Sequence, residues 1–176
     1  MNLTGIDYSR GAVQLASEHA RSLGLTSICF REGDLLDDNV VVGSALPSAM
    51  LAIDKGTFDA ISLGSAETED ISPASGTADR GRDGVGAPRV RALCAKFKAN
   101  LLRMLSAPTG DITATFLVTS CNWTGEELRQ LFAPEFAAYD EVAHPSFTFG
   151  GRQGQTVTTL AFRRASGAAI ADPGHE

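Results

Sequence analysis

The sequence predicts an α/β fold built on a mostly parallel sheet. Apolar runs of strand length alternate along the chain with segments whose apolar residues recur every three or four positions, which is the helical period. Strands that alternate with helices favour a parallel sheet, because a crossover connection must return the chain between parallel strands. Two consecutive strand-like segments, 136–142 and 155–163, add an antiparallel pair at the end.

The composition indicates one globular domain. The chain has 176 residues, which is long enough for one domain with its own core. Its hydrophobic content of 43% and charged content of 20% are those of an ordinary globular protein. We expect the domain to cover 1–165, with a flexible insert rich in Gly, Ser and Asp at about 64–88 and a disordered tail at 166–176. The net charge of −6 argues against nucleic-acid binding, which needs clustered positive charge.

Cysteine and histidine usage bears on location and on metals. The three cysteines are odd in number and far apart, which favours reduced thiols in a cytosolic or nuclear setting over a disulfide framework, and we expect a cytoplasmic location. The three histidines show no ligand spacing with them, so we predict no metal site. No apolar run approaches the roughly 20 residues of a spanning helix, and no signal peptide is visible, so we expect no membrane partner.

The first elements are bounded by recognisable caps. Residues 3–6 form a predicted strand that closes at Asp7, and Ser9 is a suitable N-cap for a helix over about 10–23. Gly24 ends that helix. The next strand is predicted at 28–30 and ends at Gly33-Asp34. A connection over 37–48, with a short extended stretch at 40–42, leads to a third strand at 49–53.

A second helix is predicted over about 89–105, followed by a buried strand at 112–119. The helix has one apolar face and several basic residues that we assign to a solvated outer face, namely Arg89, Arg91, Lys96, Lys98 and Arg103. Thr124 and Glu127 form a capping box for a short helix ending near Phe132.

Three carboxylates follow predicted strands directly. They are Asp7, Asp34 and Asp54, and parallel neighbouring strands would gather them along one rim of the sheet. A carboxylate in such a place can accept from both ribose hydroxyls, and another from an adenine amino group, which is an arrangement suited to a nucleoside. For any one of them a turn or a helix N-cap is the alternative, as it is for Asp54 before Gly56 and Thr57.

Four motifs occur in a recognisable order, at residues 4–9 (TGIDYS), 53–63 (IDKGTFDAISL), 119–124 (TSCNWT) and 147–152 (FTFGGR). Together they resemble the S-adenosylmethionine-dependent methyltransferases that modify a lysine of translation elongation factor one-alpha. The resemblance covers about 3–162 apart from the insert, and it implies a Rossmann-like class I methyltransferase sheet. It also implies a protein-lysine N-methyltransferase with a protein substrate, most simply elongation factor one-alpha.

The resemblance also implies roles for individual residues. Asp7 would bind the ribose of the cofactor S-adenosylmethionine, Asp34 and Leu35 would flank its adenine, and Tyr8 is a further cofactor-binding candidate. Asp54 would face the methionine moiety and the reacting nitrogen, and so counts as both a cofactor-binding and a catalytic residue. The remaining catalytic candidates, Asn122 and Trp123, would shape the lysine entrance, although a lone Trp also serves as a core or hinge residue.

The resemblance has one departure. Such enzymes carry a first strand and a Gly-x-Gly-x-Gly turn ahead of the strand that ends at Asp7, and here only Met1 and Asn2 precede that strand. We therefore expect the chain to be a fragment of a longer protein, with the first strand and glycine loop missing from it. The alternative function is a non-catalytic, methyltransferase-like fragment without cofactor binding.

Overall fold

The chain divides into two units, Met1–Leu46 and Pro47–Glu176, and each is described by itself. The computed structural model describes residues 3–37, 49–63, 88–105, 114–149, 151–155 and 157–165. The extended stretch predicted at 40–42, nearly all of the insert and the predicted tail lie outside the described residues.

The first unit is a βαβ arrangement. Its described elements are β1 (Leu3–Asp7), α1 (Arg10–Ser22) and β2 (Ile28–Glu32), as the sequence predicts. The two strands pair in parallel, with Asp7 opposite Glu32. Ser9 caps α1, its hydroxyl oxygen accepting a hydrogen bond from the Ala12 N–H at 3.4 Å.

The described part of the second unit contains four strands in one sheet, a hairpin and three helices. In chain order they are β3 (Leu51–Lys55), α2 (Thr57–Leu63), α3 (Pro88–Met104), β4 (Thr115–Ser120), α4 (Gly125–Phe132), β5 (Phe136–Val142), β6 (Ser146–Phe149), β7 (Arg152–Gln155) and β8 (Thr158–Arg164).

The four-stranded sheet has the order β3-β4-β8-β5. β3 and β4 are parallel, while β8 is antiparallel to both β4 and β5. It follows that β3, β4 and β5 all run in one direction and end at the same edge of the sheet. The carboxyl ends of parallel strands are where open α/β sheets bind ligands.

The terminal antiparallel pair is confirmed by β5 and β8, but the connection between them differs from the prediction. It holds the hairpin β6–β7, so Gln155 ends β7 and the last strand begins at Thr158. Gly151 in the hairpin loop has a φ of 77°, which glycine adopts without strain. The two adjacent glycines were a hairpin signal that the prediction passed over.

Helix α3 confirms the predicted apolar face, but the assignment of Lys98 to a solvated face is wrong. Lys98 is buried, and its ammonium donates to the Ala133 carbonyl at 3.0 Å and to the Glu135 carboxylate. Cys94 and Leu101 lie four residues before and three after it, so the helical period places Lys98 on the inner face. The long side chain allows its charge to reach acceptors beyond the end of α4.

The core of the second unit is a cluster of aromatic rings centred on Phe132. Its ring centroid lies 5.0 Å from that of Phe58 and 5.2 Å from those of Phe116 and Phe162. Two further rings, Phe97 and Phe136, lie within 6.3 Å. Tilted ring pairs at such separations stabilise a core beyond the effect of area burial.

We expect Phe132→Ala to lower the free energy of unfolding by about 3–5 kcal/mol, because it removes one ring from every one of these contacts and leaves a cavity. Chemical denaturation monitored by circular dichroism measures the change. The matched control is Val142→Ala on the exposed end of β5, for which we expect a change within about 0.5 kcal/mol. Equal losses in the two variants would contradict a central role for Phe132.

Candidate active site

The candidate site of the second unit lies at the carboxyl ends of β3 and β4. Asp54 is the fourth residue of β3 and pairs with Val118 of β4. Paired residues of parallel strands point to the same face, and Ser120 shares the face of Val118 because it follows two positions later. Asp54 and Ser120 therefore both project toward the face that buries Phe58 and Val118.

Asp54 is held at the start of α2. Asp54 is 6% exposed, and its two carboxylate oxygens accept hydrogen bonds from the Phe58 N–H at 3.2 and 3.3 Å. Gly56, with a φ of 90°, turns the chain between strand and helix, and its carbonyl accepts the first helical hydrogen bond, from Ala60. The local arrangement is the turn and helix start that the sequence left open as an alternative for this residue.

Burial raises the pKa of Asp54 above the usual carboxyl value, because the charged form loses its hydration. The nearby Asp59 carboxylate raises the pKa further, while hydrogen bonds from Phe58, Thr57 and Gly56 pull it down. A carboxylate in this environment accepts a proton more readily than an exposed one does.

Asp59 joins α2 to the turn that follows β4. Asp59 is 8% exposed. Its Oδ1 accepts a hydrogen bond from the Ser120 hydroxyl at 2.6 Å, and its Oδ2 accepts one from the Cys121 N–H at 2.9 Å. The Ser120 oxygen accepts in turn from the N–H groups of Asn122 at 3.0 Å and Trp123 at 2.9 Å. This set of bonds closes residues 120–123 into a turn anchored on α2.

Trp123 and Asn122 lie on opposite sides of this turn. Trp123 is buried, its indole N–H donates to the Ser62 hydroxyl oxygen at 2.9 Å, and its ring lies 6.4 Å from that of Phe58. Ser62 donates to the Phe58 carbonyl at 2.7 Å. Asn122 is exposed. The contacts of Trp123 are those of a core residue, and Asn122 is presented toward solvent.

The other predicted residues belong to the first unit. Asp7 ends β1, and its Oδ1 accepts from the Ser9 N–H at 2.8 Å. The Gly33 N–H donates to the Asp7 carbonyl at 2.9 Å, which brings Asp34 to the same edge of the β1–β2 pair. Asp34 accepts from the Leu36 N–H at 2.8 Å. Tyr8 is exposed and Leu35 is half-buried.

The structure therefore brings the predicted residues together in two groups. One group is Asp7, Tyr8, Asp34 and Leu35 in the first unit, and the other is Asp54, Asn122 and Trp123 in the second. That all three carboxylates share one rim stays a prediction.

Three residues that hold the second group in place were not predicted as site residues, namely Asp59, Ser62 and Ser120. Asp59 and Ser62 lie inside the 53–63 motif and Ser120 inside the 119–124 motif. Their place inside the two motifs was the only signal available, because the Asp59–Ser120 and Ser62–Trp123 bonds each join residues 61 positions apart.

Neither a metal centre nor a membrane span emerges from the part of the chain that the structure describes. No group of three or more His, Cys, Asp or Glu side chains there could hold a metal ion. No helix among the described residues is long and apolar enough to cross a membrane.

Solved structures share the fold at low sequence identity. A structure concerned with the conversion of a disulfide bond into a thioacetal group during echinomycin biosynthesis matches with a TM-score of 0.55 and 15% identity, over 93% of this chain and 66% of that one. TrmN from Thermus thermophilus matches with a TM-score of 0.54 and 14% identity, over 93% and 36%. The candidate methyltransferase SMU.776 complexed with SAH matches with a TM-score of 0.52 and 11% identity, over 93% of this chain and 39% of that one. The fold is thus the Rossmann-like class I methyltransferase fold.

Curated relatives match at higher identity. EEF1A lysine methyltransferase 2 of Danio rerio is 34% identical over 163 residues, which are 93% of this chain and 57% of the relative. The Homo sapiens protein of the same name is 34% identical over 93% of this chain and 56% of the relative. Protein-lysine N-methyltransferase efm4 of Schizosaccharomyces pombe is 35% identical over 92% and 57%.

The chain spans a little over half the length of these curated relatives. No family model matches it. The predicted resemblance is nevertheless confirmed by the named relatives, whose matches cover nearly all of the chain. Over the region matched, the chain is similar to lysine methyltransferases that include EEF1A lysine methyltransferase 2 and Efm4.

Proposed function

We propose that this chain carries out S-adenosylmethionine-dependent N-methylation of a lysine in a protein substrate, EEF1A. The observation that carries the proposal is the buried carboxylate of Asp54 at the carboxyl end of β3, with a raised pKa. It occurs in a chain 34% identical to curated EEF1A lysine methyltransferases.

The described residues fit S-adenosylmethionine by the chemistry of their acceptors. Asp7 and Asp34 are exposed carboxylates at one edge of the first unit, and each carries one described hydrogen bond, from a backbone N–H to Oδ1. An ionised carboxylate has about four acceptor positions, so capacity remains for ribose hydroxyls and an adenine amino group. Tyr8 and Leu35 are proposed to contact the same nucleoside. The cofactor supplies the electrophilic methyl group when bound.

Asp54 is proposed to act on the lysine. The ε-ammonium must lose its proton before its nitrogen can attack, and a carboxylate of raised pKa takes a proton more readily than an ordinary one. Methyl transfer is an in-line displacement, so the nitrogen must also be held in line with the methyl group. Asn122 is proposed to contact the lysine at the entrance of the site. Trp123, buried below the same turn, is proposed to shape that entrance by holding the turn in position.

The location and partners follow the same proposal. The described cysteines, Cys29, Cys94 and Cys121, are free thiols, which suits a reducing compartment such as the cytoplasm. The partner is a protein, with the relatives named for EEF1A as the source of that assignment. The net charge of −6 gives no support for nucleic acid as a partner.

We expect the 176-residue chain to bind S-adenosylmethionine, and Asp7→Asn to weaken that binding by about tenfold to a hundredfold. The amide keeps an oxygen for the Ser9 N–H but removes the charge that two hydroxyls would share. Isothermal titration measures both constants, with Glu18→Gln on α1 as the control carboxylate. A wild-type chain that shows no binding at millimolar cofactor would favour the non-catalytic alternative.

We expect Asp54→Asn to lower the methylation rate by about a hundredfold or more, while raising stability at neutral pH. The folded pKa of Asp54 lies above its unfolded value, so its contribution to stability is present at low pH and lost as the pH rises through the folded pKa. The amide cannot ionise, and its oxygen still accepts from Phe58. The stability advantage of the variant should therefore grow with pH.

Thermal denaturation across a pH series, together with methylation of purified EEF1A, checks both parts of this prediction. The exposed Asp140→Asn is the control and should change neither quantity appreciably. Undiminished methylation by Asp54→Asn would remove Asp54 from the reaction.

A further inference from the structure

We propose that Asp59 is a positioning residue of the lysine-binding side of this site, and that it acts through Ser120 on the backbone of Asn122 and Trp123. This inference rests on the proposed function. It assigns no contact between Asp59 and substrate, since Asp59 is only 8% exposed and both of its oxygens accept bonds from residues of the turn.

The hydroxyl of Ser120 can be satisfied in only one way. Its oxygen already accepts from the Asn122 N–H at 3.0 Å and from the Trp123 N–H at 2.9 Å, so both of its lone pairs are used. Its single proton must therefore go to an acceptor, and Asp59 Oδ1 lies 2.6 Å away. Ser120 thus transmits the position of the Asp59 carboxylate to two consecutive peptide groups.

A carboxylate is required at position 59 because both of its neighbours donate. The Ser120 hydroxyl donates to one oxygen and the Cys121 N–H to the other. An asparagine amide offers one oxygen and one NH₂ group, so in either orientation a donor faces a donor. The substitution keeps the shape of the side chain and breaks one of the two bonds.

Asp59 also stands next to the residue that orients Asp54. The Phe58 N–H donates to the Asp54 carboxylate, and the following residue holds the turn that presents Asn122. The first turn of α2 therefore fixes the proposed base and the proposed lysine entrance against one another. Loss of the Asp59 bonds should disturb the lysine steps and spare the binding of the cofactor.

The chain offers a direct probe of the turn. Trp123 is its only tryptophan, and the indole is buried with its N–H on Ser62. Acrylamide quenching of the intrinsic fluorescence therefore reports how well residues 120–123 are held, without reference to activity. The matched control is Glu135→Gln, which removes a carboxylate from the Lys98 pair on α3 and leaves the turn intact.

The experiment measures quenching, cofactor affinity and methylation of EEF1A for the wild-type chain, Asp59→Asn, Ser120→Ala, the double variant and Glu135→Gln. We expect Asp59→Asn to raise the quenching constant at least twofold and to lower kcat at least tenfold, with cofactor affinity within twofold of wild type. The double variant should be no worse than either single one, because both remove the same connection. Glu135→Gln should leave quenching and kcat within twofold of wild type even where it lowers the melting temperature.

Wild-type quenching in Asp59→Asn, or a fall in kcat no larger than that of Glu135→Gln, overturns this inference and leaves the proposed function intact. Additive losses in the double variant also overturn it, since Asp59 would then act independently of Ser120. A wild-type chain that binds no cofactor overturns the proposed function, and the positioning role falls with it.

Discussion

The hydrogen bonds that the Asp59 carboxylate accepts are the interaction on which the candidate site of the second unit depends. They join a helix that follows β3 to a turn that follows β4, and so connect two segments 61 residues apart in the chain. Buried polar groups are costly without partners. Within the described residues every buried side-chain nitrogen and oxygen has one. The satisfied network therefore specifies one arrangement of the strand ends.

The same helix carries both the polar network and the aromatic core. Phe58 donates its N–H to Asp54, and its ring packs against those of Phe132, Phe97 and Trp123. A shift of α2 would cost ring contacts beneath the site as well as hydrogen bonds within it. Close-packed interiors resist such shifts, so the core supplies the rigidity that a preorganised site needs.

The helices and strands could be predicted from local sequence signals, whereas contacts between residues far apart in the sequence could not. The Ser9 cap and the Thr124–Glu127 capping box are determined by neighbouring residues, and both are found where the sequence places them. Asp54 was found as a candidate because a strand ends there. Asp59 and Lys98 were missed or misassigned because their partners, Ser120 and Glu135, lie 61 and 37 residues away. Periodicity reports which face a residue occupies, but not what meets it there.

The turn interpretation and the site interpretation of the strand-end carboxylates are compatible. Asp7 accepts from Ser9, and Asp54 from Phe58, so the turn and helix-start roles are present in both. At Asp7 one described backbone donor occupies a fraction of the roughly four acceptor positions of a carboxylate, whereas at Asp54 the bonds from Phe58, Thr57 and Gly56 occupy more of them. The local bond fixes the side-chain direction while acceptor capacity remains, and a fixed acceptor binds a ligand with less loss of entropy than a mobile one. The hydrogen bond at each strand end is therefore compatible with ligand binding by the same carboxylate. It fixes the direction of the side chain and leaves acceptor positions for a ligand.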